Sequence, residues 1–306
     1  MNKSSKVNSW ISAFRLRTLP LAIAAIGLGN ILAAANGNFQ WDVCALSFAT
    51  AILLQILSNL ANDYGDSIHG ADHVGRIGPA RAVQSGEISK EEMKSAVSLF
   101  WVLTIIAGII LLWVSNIGLW LKLGFLILGI ISAVAATQYT SGKSPYGYKG
   151  LGDVSVFFFF GWVGVVGSYV LQIGTWQWDI LLPASTISLF SMAVLNLNNM
   201  RDLNSDKIAG KLTLPVRYGI GVAKTYHWIL MLGGLMLSII YMLVHSSNVI
   251  HFLFVLVLPV LIRIGIAVSK RKDAASLDPL LKFMALTTVF FVFLFGIGIW
   301  LGGALI

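Results

Sequence analysis

Two short stretches of this chain carry acids and amides at helical spacing. The first reads Asn59-Leu60-Ala61-Asn62-Asp63-Tyr64-Gly65-Asp66-Ser67-Ile68-His69-Gly70-Ala71-Asp72, and the second Asn196-Leu197-Asn198-Asn199-Met200-Arg201-Asp202-Leu203-Asn204-Ser205-Asp206. Each contains an Asn-x-x-x-Asp pair, Asn62/Asp66 and Asn198/Asp202, and Asp206 extends the second pair by the same step. Side chains four apart share one face of a helix, so each stretch predicts a stripe of hard oxygen ligands. Asp72 lies six residues beyond Asp66 and would face away on a continued helix; Gly70 is a helix stop that would let it fold back. Carboxylates crowded in this way repel one another and lose hydration, and a divalent cation relieves both. All-oxygen ligation, in a chain with one cysteine and 5 histidines, points to Mg²⁺ rather than zinc. Mg²⁺ keeps several waters and commonly shares its shell with substrate phosphates. The pattern therefore predicts a diphosphate held between metal ions and nearby Lys and Arg. The plainer reading, two solvated helix ends, does not account for the same Asn-to-Asp spacing in both places.

The elements that must position these stripes are membrane helices. The chain is 57% hydrophobic and 11% charged, where soluble domains carry about 25% charged residues. Charge-free stretches recur near the ~20 residues that cross a bilayer as a helix, and lipid leaves the backbone no other spanning form in a single segment. Nine spans are predicted, near 18–36, 41–61, 95–115, 117–137, 153–172, 177–198, 227–245, 249–269 and 282–304. The fold class is thus all-α, a polytopic membrane bundle. The acid stripes close the second and sixth spans. Four spans separate them, the offset an internal duplication of helices 1–4 and 5–8 would give.

The basic residues fix the expected orientation. They gather in the N-terminal segment (Lys3, Lys6, Arg15, Arg17) and in 62–94, 138–152, 199–226 and 270–281, with Lys282 at the edge of the last. The connections near 37–40, 116, 173–176 and 246–248 have none. This bias predicts a cytoplasmic N-terminus and cytoplasmic acid clusters. It also explains the net charge of +8 without nucleic acid. Trp41, Trp113, Trp120, Trp176 and Trp178 fall at predicted outer ends, as interfacial anchors do. His227, His245 and His251 are read as interfacial too.

At the acid clusters the chain resembles the UbiA superfamily of intramembrane aromatic prenyltransferases, whose two Asp-rich motifs follow the form Asn-x-x-x-Asp-x-x-x-Asp. The second cluster matches that form; the first departs from it at Gly70, with Asp72 as the next acid. The stretches RLRTLP, NDYGDSIHGADHVGRIGPARAVQSGEIS, SPYGYKGLGD and NNMRDLNSDKIAGKLTLPVRYG are similar to the branch that prenylates 1,4-dihydroxy-2-naphthoate. The resemblance implies one membrane-embedded domain over residues 1–306, in the cytoplasmic (inner) membrane, with its site toward the cytoplasm. It implies Asn62, Asp66, Asp72, Asn198, Asp202 and Asp206 as Mg²⁺ ligands, with Asp63 assisting. Asp66 and Asp202 are the central catalytic acids in this reading, joined by Lys149 and Arg201. Arg17, Arg81, Lys143, Lys149 and Arg201 are implied as diphosphate contacts, and Tyr139, Tyr146 and Asp153 as pocket residues. The implied partners are a polyprenyl diphosphate, 1,4-dihydroxy-2-naphthoate and membrane lipid. The apolar run Val156 to Trp162 is either pocket wall or lipid-facing surface. Other acceptors, such as 4-hydroxybenzoate or homogentisate, belong to the same class. A transporter is the competing class; it would need ionisable groups or broken helices near mid-membrane, whereas these acids crowd one face.

Overall fold

The computed structural model describes residues 3–37, 39–69, 82–142, 144–271, 273–303 and 305. All regular secondary structure among them is helical. Nine helical segments are long and apolar enough to cross a membrane: Lys6–Ala35, Trp41–Ile68, Lys90–Val114, Leu119–Gln138, Gly152–Ile173, Leu181–Arg201, Leu214–His245, Val249–Lys270 and Ala275–Gly302. Each overlaps one predicted span.

Local sequence starts these helices where chemistry allows. A short helix α1 (Lys3–Phe14) precedes α2 (Leu19–Ala35) and α3 (Trp41–His69). Helix α4 (Lys90–Val114) opens on a capping box. The Ser89 Oγ accepts from the Glu92 N–H at 3.1 Å, and the Glu92 carboxylate accepts from the Ser89 N–H at 3.0 Å. Helix α5 (Leu119–Gln138) follows, and the fifth span is composite. It runs as α6 (Gly152–Val156), a π-helical segment Phe157–Val166 and α7 (Gly167–Ile173). Then come α8 (Leu181–Arg201), the short α9 (Leu203–Ile208), α10 (Leu214–His245), a 3₁₀ stretch Val249–Val257, α11 (Leu258–Lys270) and α12 (Asp278–Gly302). Proline stands within the first two positions of α2, α10, α11 and α12, where its missing N–H costs no helical bond.

Helix α8 is the hub, packed on α10, α12, α2 and the π-helical segment. Its most apolar stretch is 61% buried, against 17% for α4 and 11% for α5. Those two helices therefore form a thin outer wall, seated chiefly on α3. Around the hub sits an aromatic cluster in which Phe190 meets Phe291 edge-on at 5.3 Å. The π-helical segment comes closest to α8 at Gly161. A Cβ there would lie 1.7 Å from the Ser188 Oγ and 2.5 Å from the Ala184 carbonyl oxygen. That Ser188 hydroxyl donates to the Phe157 carbonyl at 2.7 Å, satisfying an acceptor on the widened turn.

Two expectations need correction. The seventh span begins at Leu214 rather than near 227, with a kink at Gly219, where φ is 84°. Its first turns carry Arg217 and Lys224 and so escape a search for uncharged runs. Lys224 donates to the Ser269 and Arg271 carbonyls at the end of α11, at 3.0 and 2.8 Å. Because the helix starts early, His227 lies well inside it and is fully buried rather than interfacial; His251 is also buried, but in the first turn of the eighth span, bonded to Ser246 and Gly303.

Candidate active site

Helix α3 carries the first acid stripe without interruption to its end. Asn62, Asp63 and Asp66 all lie on it; Asp63 and Asp66 are buried and Asn62 is half-buried. The second stripe is broken. Helix α8 stops at Arg201, and Asp202 caps it at φ −91°, ψ 13°. Helix α9 restarts at Leu203, yet the Asp206 N–H still reaches the Asp202 carbonyl at 2.8 Å. Asn198, Asp202 and Asp206 thus remain close in sequence and space, but not as one straight row.

Two connecting segments join the stripes. After α5, the Thr140 hydroxyl lies 3.1 Å from Asn62 Oδ1 and 3.2 Å from the Ala61 carbonyl. A single 3₁₀ turn, Tyr146–Lys149, then directs the Tyr148 hydroxyl to Asp66 Oδ1 at 2.8 Å. The Tyr148 carbonyl accepts from the Leu212 N–H, and the Lys211 N–H donates to the Asp206 carbonyl, each at 2.8 Å. The path Asp66, Tyr148, Leu212, Lys211, Asp206 therefore runs from one cluster to the other through hydrogen bonds. The Lys211 Nζ sits 5.5 Å from the Tyr148 ring centre and 6.0 Å from that of Tyr139.

A cavity of about 410 Å³ opens beneath these residues. Its polar end is lined by Arg15, Asn59, Asn62, Asp66, Tyr139, Asn198 and Lys211. Its shaft is mostly apolar, with Leu21, Leu54, Ile105, Phe125, Phe159 and Val163 among its walls. Ile109 of α4 and Gly129 of α5 line it, and both residues are also exposed. Burial holds Tyr139 above the ordinary phenol range, and Tyr146 and the charges of Asp153, Asp206 and Asp66 push it further the same way. It is a neutral phenol at physiological pH. Burial raises Tyr146 as well, against the bond to Ser155.

The predicted residues fall into three groups. Asn62, Asp66, Tyr139, Tyr146 and Asn198 line the cavity. Arg201, Asp202, Asp206 and Asp63 stand close behind its polar end, buried. Asp63 is paired with Arg15, which takes a left-handed φ of 49° to reach it. Such a backbone costs about 1–3 kcal/mol in a non-glycine residue and clusters at functional sites. Lys149, Asp153 and Arg17 do not line the cavity. The inward side of the 146–149 turn is filled by Tyr146, bonded to the Ala135 carbonyl and Ser155, and by Tyr148, so Lys149 is left exposed. Asp153 turns toward α10 and accepts from the Tyr226 hydroxyl at 3.4 Å. Arg17 faces Asp278 at 3.3 Å. Asp72, Arg81 and Lys143 lie outside the described residues. Lys211 and Arg15 line the cavity and Tyr148 bonds to Asp66, and sequence reasoning names none of the three as site residues. Arg15 was visible in RLRTLP, and Lys211 in the run after Asp206.

Gly65 fixes how tightly the α3 tip docks. A Cβ there would lie 2.6 Å from the Thr140 carbonyl carbon and oxygen, which are backbone atoms that cannot swing aside. Gly65→Ala should force α3 and the Thr140 segment apart and destabilise the protein by about 1–3 kcal/mol. Thermal unfolding in detergent measures the loss, and an unchanged melting temperature would refute this close packing.

The UbiA prenyltransferase family profile matches residues 21–287. The chain belongs to this family. The 1,4-dihydroxy-2-naphthoate octaprenyltransferase of Escherichia coli (strain K12) is 43% identical over 297 residues, covering 97% of this chain and 96% of that protein. The Haemophilus influenzae protein of the same name is 39% identical, covering 98% of each. Two solved structures share the fold at 18% identity. One is from work on digeranylgeranylglyceryl phosphate synthase, with a TM-score of 0.60 over 96% of this chain and 98% of that one. The other is a UbiA homologue from Archaeoglobus fulgidus bound to DMAPP and Mg²⁺, with a TM-score of 0.56 over 92% and 98%. In this family member, the side chains of Asn62, Asp66 and Asn198 all line the cavity's polar end. Their hard oxygens are the donor type that Mg²⁺ takes, alongside waters and phosphates.

Proposed function

We propose that this protein transfers a polyprenyl group from an allylic polyprenyl diphosphate to 1,4-dihydroxy-2-naphthoate, with loss of CO₂, at a Mg²⁺-dependent site facing the cytoplasm of a bacterial inner membrane. The observation that carries the reading is one cavity with two unlike ends. Amide, carboxylate and ammonium groups meet at its mouth, and an apolar shaft bordered by the thin α4–α5 wall runs below. An amphiphile with an anionic head and an isoprenoid tail matches both ends. The names of the full-length relatives support the acceptor.

Asn62, Asp66, Asn198, Asp202 and Asp206 would hold Mg²⁺, with Asp72 beside them by resemblance. When bound, the metal supplies Lewis-acid neutralisation of the charge that grows on the departing diphosphate. Lys211 and Arg15 add positive charge at the same mouth, fixed before the reaction begins. The half-buried walls of the shaft keep water from the allylic cation, and the neutral Tyr139 ring offers it an electron-rich face. The allylic C–O bond breaks and diphosphate takes the electron pair. The ring carbon that bears the carboxylate bonds to the allylic carbon. The C–CO₂ bond then breaks, and its electrons restore the ring. Because CO₂ leaves from that carbon, no side chain has to remove a proton there. The product is a demethylmenaquinol, with both ring hydroxyls retained; the quinone form is reached only by a separate two-electron oxidation.

An acceptor screen tests the reading. Purified protein with Mg²⁺ and a labelled polyprenyl diphosphate should turn over 1,4-dihydroxy-2-naphthoate and release CO₂ in equal amount. Turnover with 4-hydroxybenzoate or homogentisate alone would overturn the choice of acceptor.

A further inference from the structure

Arg201 is buried to 1% exposure beside the second acid stripe, and its donors are divided among three partners. Nε and Nη2 form a fork on Asp202 Oδ1 and Oδ2, both at 2.8 Å. Nη2 also reaches Asn198 Oδ1 at 2.8 Å. Nη1 donates to Asp278 Oδ1. Asp278 is the first residue of α12, a position that favours a carboxylate electrostatically. The same Oδ1 lies 3.3 Å from Arg17 Nη1, and Oδ2 lies 3.5 Å from it. One carboxylate thus stands between two guanidinium groups that would otherwise repel each other.

We propose that Asp278 is a positioning residue for the second acid stripe: it fixes the guanidinium plane of Arg201, and through it the oxygens of Asn198 and Asp202. The inference rests on the proposed Mg²⁺–diphosphate site and deepens it. A forked arginine bonded to both oxygens of a carboxylate sets the direction in which those oxygens point. The fork of Arg201 on Asp202 does this here. That orientation holds only while the fork keeps its plane, and the plane has a third anchor at Asp278. Without its charge, Arg201 Nη1 is left with a weaker neutral acceptor and Arg17 is no longer screened from Arg201, so the guanidinium turns toward other oxygens, those of Asn198 and Asp202 being nearest. Asp278 does not line the cavity, so it acts through Arg201.

The test uses the full chain in detergent, with two readouts. The first is the Mg²⁺ concentration at which inorganic pyrophosphate raises the melting temperature to half its maximal shift. The second is KM for the prenyl diphosphate against kcat. Loss of a partner behind a metal ligand typically weakens metal binding about 10–100-fold. Asp278→Asn should therefore raise the Mg²⁺ midpoint about tenfold or more, raise KM, and leave the ligand-free melting temperature near that of the unaltered protein. Asp278→Glu keeps the charge and should recover most of the midpoint. An unchanged midpoint in Asp278→Asn overturns the proposal. So does an equal fall in ligand-free melting temperature in both variants with no shift in midpoint, which would mark a purely structural role. If the unaltered protein gains no stability from Mg²⁺ and pyrophosphate, the functional reading fails first, and the positioning role fails with it.

Discussion

Asp66→Ala should reduce prenyl transfer about 10³-fold or more while the protein still inserts and melts near its normal temperature. Asp66 is buried at the cavity wall, and its Oδ1 holds the Tyr148 hydroxyl. Removing it leaves a neutral phenol that can take other partners, which is a small structural loss. Removing a preorganised group that stabilises developing charge costs about 10²–10³ in rate, and loss of a metal ligand adds to it. Asp202→Ala should cost as much activity and also stability, because it strips the fork from a fully buried Arg201. Breaking one side of a buried ion pair costs about 3–5 kcal/mol. The pair of variants therefore separates catalysis from folding. Activity and melting temperature measured on membrane fractions of equal protein content give both numbers. Full activity in either variant would contradict the metal assignment.

The second large effect concerns two lysines, of which the sequence reading names Lys149 and passes over Lys211. Lys211→Ala should lower kcat about 100-fold, whereas Lys149→Ala should keep near-normal activity and shift stability by no more than about 0.5 kcal/mol. Lys211 lines the cavity mouth against the Tyr139 and Tyr148 rings, and its backbone is pinned to Asp206. Lys149 is exposed, and it contributes only its carbonyl, to Arg217 at 2.6 Å. Steady-state kinetics of the two variants side by side decides the matter. The opposite ranking would move the diphosphate to the other side of the 146–149 turn.

The bundle was legible in the sequence because lipid permits so little. Stretches such as Ser95 to Gly118 carry no charge and admit only a spanning helix. What escaped were helix starts rich in charge, as at Leu214, and the π-helical widening of Phe157–Val166, for which no periodicity signal exists. That widening settles the aromatic run: Val156, Phe159 and Phe160 reach the cavity, while Trp162 turns to Ser185 at 3.1 Å. Asn62, Asp66 and Asn198 were legible for a different reason, since i, i+4 spacing reports directly on a shared helix face. The pairings of Arg15, Tyr148 and Asp278 were not, because their partners Asp63, Asp66 and Arg201 lie 48, 82 and 77 residues away. Only tertiary packing creates those pairs.

The thin wall of α4 and α5 has a consequence for how the compartment is sealed. With Ile109 and Gly129 among both the lining of the hollow and the exposed residues of that wall, little protein separates the hollow from the bilayer the spans would cross. On the proposed reading, a long isoprenoid would leave the hollow through this wall and exchange neighbours with lipid tails. Its own length would then not be bounded by the volume the helices enclose.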